Sequence, residues 1–355
     1  MWACTSVYAL LEIWAILKLK AITEQWNHVP QVSQSAEPIT VVVAVRNGAA
    51  DLEEFLMALR QQSTLHFHLI LVDDNSSDDT WYRLQGADYP PCLSVELMQN
   101  RSRGKKTAIM QAIASCKTSY FLLTDIDCLP GPNWVAGVQD HLEQLQPSAL
   151  VLPVWINGDS GVFAKIQELE FAGLTGATFC LTTDPLMANG ANLAVRTRDF
   201  NRVDPYQGNE HIPTGDDIFL IQAFRANGLT LYSKATASVV MKTKPVHTFR
   251  AFLAQRVRWG SKTIHYRDYR PLALAVLVLM VNAFPWVAWL IDPNLAAVNL
   301  AIVVVLHMIW MAAATRAFRR KLSPIWLMPA ALFHLMYVPV TAVFGLLKNV
   351  SLYRS

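Results

Sequence analysis

Three long uncharged stretches near the end of the chain limit its possible folds more than any other feature. They are residues 271–291, 295–314 and 325–347, and none of them contains Asp, Glu, Lys or Arg. Each reaches the roughly 20 residues that an α-helix needs to cross a hydrocarbon core of about 30 Å. A buried helix of a soluble protein normally keeps a polar face. We therefore predict three transmembrane helices at these positions.

The beginning of the chain contains a shorter apolar segment. Residues 2–17 are mainly apolar but include Glu12, and the basic residues Lys18 and Lys20 come after them. A secretory signal carries its positive charge before the apolar segment. We therefore expect residues 1–20 to form an N-terminal membrane helix rather than a cleaved signal.

The basic residues of the flanking loops predict an orientation for these four helices. Lys and Arg accumulate on the cytoplasmic side of a membrane. Here they follow the first helix, precede the second and make up four of the six residues in the loop 316–321. Residues 292–294, between the second and third helices, contain none. This alternation predicts a multi-pass protein of the cell inner (plasma) membrane whose central domain is cytoplasmic.

The composition separates the central region from its flanks. Charged residues make up 16% of the chain, against about 25% in an average soluble domain. The whole chain has a formal net charge of +3, but residues 21–270 alone carry −3. An acidic central region argues against nucleic acid as a partner. The five cysteines form no CxxC pair, and we expect free thiols in a reducing compartment.

Residues 38–245 have the pattern of a globular α/β domain. Runs rich in β-branched residues, typical of buried strands, alternate with segments whose apolar residues recur at helical spacing. The predicted strands lie within residues 38–47, 66–80 and 119–128, and the predicted helices are residues 51–63 and 104–116. This alternation predicts a mainly parallel, doubly wound sheet. In such sheets, ligands bind beyond the carboxyl ends of the strands.

Two of the predicted strands end in paired acids. Asp73 and Asp74 close one strand, and Asp125 and Asp127 follow another at positions i and i+2. Neighbouring carboxylates repel one another unless a cation or hydrogen-bond donors compensate. Oxygens of a D-x-D pair can reach one hard cation that keeps water and substrate phosphates as its other ligands. The pattern therefore predicts a site for Mg²⁺ or Mn²⁺.

Taken together, these motifs resemble an enzyme family. The segments PITVVVAVRN, LVDDNSSDDT, GKK, TDIDC, GANLAVR, GDDIFL and QRVRW occur in this order over roughly residues 38–270. They are similar to the inverting glycosyltransferases of family 2, which have the GT-A fold. The last segment resembles the Q-x-x-R-W motif of membrane-embedded members such as cellulose, chitin and hyaluronan synthases and ceramide glucosyltransferase. The resemblance implies a GT-A domain, with a mainly parallel sheet, attached to transmembrane α-helices.

The resemblance also implies roles for the residues of the predicted donor site. Asp73 or Asp74 would accept hydrogen bonds from the uracil or ribose of a nucleotide sugar. Lys105, followed by a second lysine, would neutralise part of the diphosphate or contact the nucleotide. Asp125 and Asp127 would hold the divalent cation, with Asp125 also lying against the substrate.

The GDD and GANLAVR segments correspond to the acceptor side of the family. Asp217 matches the general base, which removes the proton of the acceptor hydroxyl. Asp216 matches the glutamate of the related TED form, and Asn192 lies in the acceptor-binding segment. That segment includes MANGANLA rather than an FFCGS-like sequence, which counts against cellulose as the product. The first strand ends in RNG, where the family often has a proline and NE.

The QRVRW segment is predicted to form part of an amphipathic interfacial helix over residues 246–270. Gln255, Arg258 and Trp259 share one face at positions i, i+3 and i+4, whereas Arg256 points elsewhere. Arg258 can make bidentate contacts with a diphosphate, and Trp259 offers a flat surface for a sugar.

We therefore expect transfer of a sugar from a nucleotide sugar, most simply a UDP-sugar, to a lipid or lipid-linked acceptor at the cytoplasmic membrane face. A processive synthase that extends and secretes a β-linked polysaccharide is an alternative. Four membrane helices are few for a conduit, unless a homo-oligomer or a partner subunit supplies the pore. A non-catalytic membrane scaffold is a remote third hypothesis.

Overall fold

The structure is a computed structural model that describes residues 2–31, 37–158, 161–180, 184–210, 212, 214–321 and 323–352. The chain divides into two compact units. The sheet unit comprises Gln25–Trp155 and Thr183–Lys244. The helical unit comprises Met1–Glu24, Ile156–Thr182 and Pro245–Ser355.

The described strands belong to two sheets. In chain order they are β1 (Ile39–Val45), β2 (Phe67–Asp73), β3 (Ser94–Gln99), β4 (Tyr120–Thr124), β5 (Cys128–Pro130), β6 (Ala149–Val151), β7 (Val154–Ile156), β8 (Leu193–Arg196), β9 (Leu231–Ser233) and β10 (Met241–Thr243). The larger sheet has the order β3-β2-β1-β4-β8-β6-β9, and the smaller has the order β5-β10-β7.

The described α-helices differ in length and composition between the two units. In chain order they are α1 (Trp2–Gln25), α2 (Leu52–Arg60), α3 (Thr80–Gly86), α4 (Lys105–Ser115), α5 (Trp134–Leu145), α6 (Val162–Cys180), α7 (Thr197–Val203), α8 (Asp216–Ala226), α9 (Phe249–Ser261), α10 (Tyr269–Trp289), α11 (Pro293–Ala317) and α12 (Leu327–Leu352). Helices α2–α5, α7 and α8 belong to the sheet unit.

The larger sheet is mainly parallel, as the sequence predicts. Strands β3, β2, β1 and β4 run parallel to one another, and only β8 is antiparallel to its neighbours β4 and β6. Strand β1 is buried along its length because helices cover both faces of such a sheet. Helix α2 packs with one apolar face, formed by Leu52, Phe55, Leu56 and Leu59. The carboxyl ends of β1, β2 and β4 consequently lie at one edge, where the acidic residues follow.

The helical unit contains helices suited to a membrane. Among the described residues, four segments are long and apolar enough to cross one: Trp2–Gln25, Tyr269–Trp289, Pro293–Ala317 and Pro324–Gly345. They correspond to the four predicted membrane helices, and they indicate membrane association. Exposed apolar side chains such as Val276, Ile302 and Val340 lie on their outer surfaces, as expected for contact with lipid.

Three boundaries in particular differ from the sequence-based expectation. The first helix continues from the predicted end at residue 20 to Gln25, because no Gly or Pro interrupts it. Residues 156–182, placed by the sequence in a continuous domain over 38–245, form part of the helical unit. Helix α6 packs there against α11 and α12, because its apolar residues are buried by those helices. The helix predicted over 246–270 is observed as the shorter helix α9, and its location at a membrane interface remains a prediction.

Candidate active site

The carboxyl end of strand β2 forms an acceptor-rich corner. Asp74 is buried, and its Oδ1 accepts hydrogen bonds of 2.7 Å from Asn100 Nδ2 and from the backbone N–H of Gly104. These bonds attach the end of β2 to the loop that leads into helix α4. Asn100 follows strand β3, so its role depends on a parallel neighbour that the local sequence does not identify.

Asp73 has an unused acceptor in this corner. Its Oδ2 accepts a 3.4 Å hydrogen bond from the Ser76 N–H, while its buried Oδ1 has no hydrogen-bond partner. An unsatisfied buried carboxylate oxygen is costly. Asp73 is therefore a candidate for accepting a hydrogen bond from a bound ligand, which agrees with the predicted role of the VDD strand.

Lys105 connects two of the predicted site segments. Its Nζ lies 2.7 Å from Asp125 Oδ1, after strand β4, and 3.3 Å from Asp216 Oδ2, at the start of helix α8. Desolvation of the ammonium group acts to lower the pKa of Lys105, but the charges of Asp125 and Asp216 outweigh this effect and raise the pKa well above its usual value. The lysine is therefore a permanent cation between the D-x-D segment and the GDD segment, which are 91 residues apart in the chain.

Helix α8 begins with the two acids of the GDD segment. Gly215 precedes it with a φ of 87°, in the left-handed region that favours glycine. Asp216 is buried and Asp217 is half-buried. Negative charge in the first turn interacts favourably with the helix dipole. The charge of Asp217 contributes to raising the pKa of Lys105, so both acids belong to the same electrostatic cluster.

Asp125 and Asp127 lie close enough together to hold a cation. One oxygen from each, with the sulfur of Cys128, forms a group whose atoms are within 4.8 Å of one another. Burial, followed by the charges of Asp125 and Asp127, raises the pKa of Cys128 well above its usual value. The thiol therefore stays protonated, and the two carboxylates are the donor set that Mg²⁺ or Mn²⁺ prefers.

The pKa of Asp127 points the same way. Desolvation of the carboxyl group and the neighbouring charge of Asp125 raise it, although the residue as a whole is exposed. A bound cation would relieve this repulsion. The residues present therefore fit a divalent cation.

The second lysine of the GKK segment has a different environment. Lys106 is buried, and its Nζ donates hydrogen bonds to the backbone oxygen and the Oδ1 of Asn209 at 2.6 and 2.7 Å. It also lies over the ring of Phe219 at 4.5 Å. These contacts attach helix α4 to the segment before helix α8. Lys105 is thus the member of the pair that faces the acidic cluster.

Asn192 is fully buried. Its Oδ1 accepts a hydrogen bond from Trp134 Nε1 at 3.0 Å, and its Nδ2 donates to the backbone oxygens of Pro153 and Val239 at 2.8 Å each. These bonds hold the start of strand β8 against helix α5 and its neighbouring loops. Direct contact of Asn192 with a substrate remains a prediction, and the observed contacts give it a structural role.

Gly190, the first residue of the GANLAVR segment, was not among the predicted site residues. A Cβ atom at this position would lie 2.7 Å from Asp216 Oδ2 and 3.4 Å from Lys105 Nζ. The MANGANLA segment therefore passes directly beside the charged cluster. The available signal was the glycine itself, since a residue without a side chain permits close approach.

The remaining predicted residues belong to helix α9 of the helical unit. Gln255 and Trp259 are half-buried, and Arg258 is exposed. Arg256 is buried and contacts both Gln255 and Trp259, so these two side chains lie beside Arg256 and the predicted common face with the exposed Arg258 is not observed. Their contact with a donor remains a prediction.

The chain is similar in sequence and in structure to known proteins. Residues 40–204 match the family model described as Glycosyl transferase family 2. No curated protein matches the sequence. The chain is similar in structure to the mannosyltransferase PcManGT from Pyrobaculum calidifontis, solved in complex with GDP-Man and Mn²⁺, with a TM-score of 0.59 and 19% identity over 98% of this chain and 97% of that one. It is more remotely similar to S. aureus TarS 1-349 in complex with UDP-GlcNAc, with a TM-score of 0.46 and 13% identity over 86% and 90%.

The fold class predicted from the sequence is confirmed. The sheet unit has the GT-A fold, with a mixed α/β architecture and a mainly parallel sheet. Candidate membrane helices accompany it in the helical unit.

Proposed function

We propose that this glycosyl transferase family 2 domain transfers a sugar from a nucleotide sugar, with inversion at the anomeric carbon. The observation that carries the proposal is Lys105, which links Asp125 of the D-x-D segment to Asp216 of the GDD segment. A donor-binding group and a candidate proton acceptor are thereby at the same edge of the sheet. Both are needed within a short distance of one reacting carbon.

The donor would be held at both its nucleotide and its diphosphate. The free oxygen of Asp73 would accept a hydrogen bond from the base or ribose. Asp125 and Asp127 would hold Mg²⁺ or Mn²⁺, which supplies positive charge to the departing diphosphate. Lys105 adds a permanent cation beside them, so that the growing negative charge of the leaving group is stabilised.

Asp217 would act as the general base. Its carboxylate would accept the proton of the acceptor hydroxyl while that oxygen attacks the anomeric carbon on the face opposite the diphosphate. The bond to the diphosphate breaks as the new glycosidic bond forms, so an α-linked donor yields a β-linkage. Asp216, paired with Lys105, would keep the ammonium group of Lys105 in position beside Asp217.

The acceptor would be a lipid or a lipid-linked group at the cytoplasmic face of the membrane. The four candidate membrane helices support this class of acceptor, because they would bring the chain to the bilayer. A processive polysaccharide synthase has the same donor chemistry. Separation of the radiolabelled product by size distinguishes the two: one lipid-soluble species supports single transfer, whereas a ladder of lengths supports polymerisation.

The test is release of nucleoside diphosphate by the purified full chain in detergent. A panel of UDP-sugars and GDP-sugars is assayed with Mn²⁺ or Mg²⁺ and a membrane lipid extract. We expect cation-dependent release from at least one donor, lost in D125N and D127N but retained in D88N, which changes an exposed acid of the same unit. No release from any donor by a folded protein, or equal release by all four proteins, would overturn the proposal and favour a scaffold.

A further inference from the structure

A buried ion pair joins helix α9 to helix α6 within the helical unit. Arg256 Nη2 lies 2.5 Å from Glu170 Oε2, and the two side chains are only 5% and 4% exposed. Tyr337 of helix α12 donates a hydrogen bond to the other oxygen of the same carboxylate. Burying two charges costs desolvation free energy that their attraction does not reliably recover. This pair therefore calls for an explanation other than stability.

Arg256 also supports two side chains of the QRVRW segment. Its Nη1 donates a 2.7 Å hydrogen bond to Gln255 Oε1, and its guanidinium lies 4.2 Å from the centre of the Trp259 ring. A planar guanidinium is suited to both contacts at once. The buried arginine thus holds in place two of the three residues that define the motif.

Arg258 occupies the other side of the helix. It lies two residues beyond Arg256, which is about 200° around an α-helix, and it is exposed. Because Glu170 neutralises Arg256, the positive charge that the QRVRW segment can offer to an anion comes from Arg258. Fixing the rotation of α9 about its axis therefore fixes the direction of that charge.

Helix α6 also binds the segment that immediately precedes helix α9. The amide of Gln167 donates a 2.9 Å hydrogen bond to the backbone oxygen of Val246 and accepts a 3.1 Å hydrogen bond from its N–H. Gln167 and Glu170 are three residues apart, on one face of α6. One face of α6 therefore contacts Val246, before helix α9, and Arg256, in the middle of that helix.

We propose that Glu170 is a positioning residue for the donor diphosphate. It acts through Arg256, whose contacts fix Gln255 and Trp259 and orient Arg258. This inference rests on the proposed function, because it takes Arg258 as a ligand of the diphosphate. Glu170 itself touches no ligand in this proposal.

A double-mutant cycle tests this arrangement. Binding of fluorescent UDP and GDP derivatives is measured in the presence of Mn²⁺ for the full chain, R258A, E170Q and the double variant. We expect R258A and E170Q each to weaken binding of the better nucleotide at least tenfold. If Glu170 acts through Arg258, the double variant is no more than about twofold weaker than R258A, because non-additive effects mark residues that act as a unit.

The matched control is E12Q, which removes a second buried carboxylate of the same unit that has no part in α9. We expect it to bind like the unchanged protein. If E170Q does not fold, R256K enters the same cycle, since it keeps the charge but loses the planar stacking on Trp259.

The outcomes separate this inference from the proposed function. If the double variant binds nucleotide about a hundredfold more weakly than the unchanged protein, the two effects multiply, and the positioning role is overturned. Unchanged binding in E170Q overturns it as well. In both cases the donor site itself stays intact. Absence of nucleotide binding by the unchanged protein overturns the proposed function, and the positioning role falls with it.

Discussion

Replacement of Lys105 by methionine tests the electrostatic cluster most specifically. The substitution keeps the length of the side chain and removes the ammonium group between Asp125 and Asp216. Opposite unit charges about 4 Å apart interact by about 4 kcal/mol at an effective dielectric constant near 20. The side chains of Lys105 and Asp125 are 31% and 33% exposed, and screening by solvent reduces the interaction to roughly 1–2 kcal/mol.

A divalent cation at Asp125 competes with this ammonium group and is repelled by it. In the absence of donor, K105M should therefore bind Mn²⁺ more tightly, by about tenfold, because 1.4 kcal/mol corresponds to a factor of ten. The same variant should transfer sugar more slowly, since it lacks a cation beside the leaving diphosphate.

Titration with Mn²⁺, followed by the electron paramagnetic resonance signal of the free ion, measures the affinity directly. R103M is the matched control, because Arg103 is an exposed cation two residues earlier in the chain. We expect its Mn²⁺ affinity to be within about twofold of the unchanged value. Equal or weaker binding of Mn²⁺ by K105M would refute the placement of the cation at Asp125.

Three further variants test separate parts of the sheet unit. Substitution of Gly190 by alanine should lower transfer at least tenfold with little change in melting temperature, because the added Cβ displaces Asp216; normal activity would contradict the close approach. Substitution of Asn192 by leucine should lower the free energy of unfolding by roughly 3 kcal/mol, since it leaves the Trp134 indole N–H and two carbonyls unpaired, and a melting temperature within 1–2 °C of the original (~0.5 kcal/mol) would contradict this. Burial lowers the pKa of His141 to about 4, whereas the same histidine in the unfolded chain has a pKa near 6.5 and takes up a proton at higher pH. The free energy of unfolding should therefore fall by up to ~3 kcal/mol as the pH drops from 6.5 to 4. Melting curves at several pH values should show a smaller decline for the glutamine variant of His141, and an identical decline would contradict the burial argument.

The sequence predicts the acidic edge of the sheet because two kinds of local information agree there. The runs before Asp73 and Asp125 are uninterrupted and β-branched or apolar, which favours buried strands. The carboxyl ends of parallel strands then lie at one edge of the sheet, independently of the conformation of the loops between them. The contact of Lys105 with Asp125 and Asp216 was not predicted, because Asp216 begins helix α8 and does not follow a strand of this sheet.

Other contacts depend on packing that no local pattern records. Lys106 directly follows Lys105 in the sequence, yet Lys105 lies among the carboxylates and Lys106 lies against Asn209. Asn192 belongs to a segment that resembles a substrate loop, but its amide is used by Trp134 and two backbone carbonyls. The contacts that each of these side chains makes depend on tertiary neighbours that are distant in the sequence.

The division into units shows the same limit. Helix α6 contains Lys165, Glu168 and Glu170, so its composition does not distinguish it from a helix of the α/β domain. Its assignment to the helical unit depends on partners such as Arg256, 86 residues away. Hydropathy likewise predicts that the first helix exists, but it does not predict its end at Gln25.

Replacement of Asp217 by asparagine tests the central claim most directly. The shape of the side chain is kept, but its capacity to accept a proton is lost. With the donor that supports turnover, we predict a loss of transfer of about 10²–10⁴-fold, while the dissociation constant of that donor with Mn²⁺ stays within about threefold. Full transfer by D217N, or loss of donor binding together with activity, would contradict the assignment of the base.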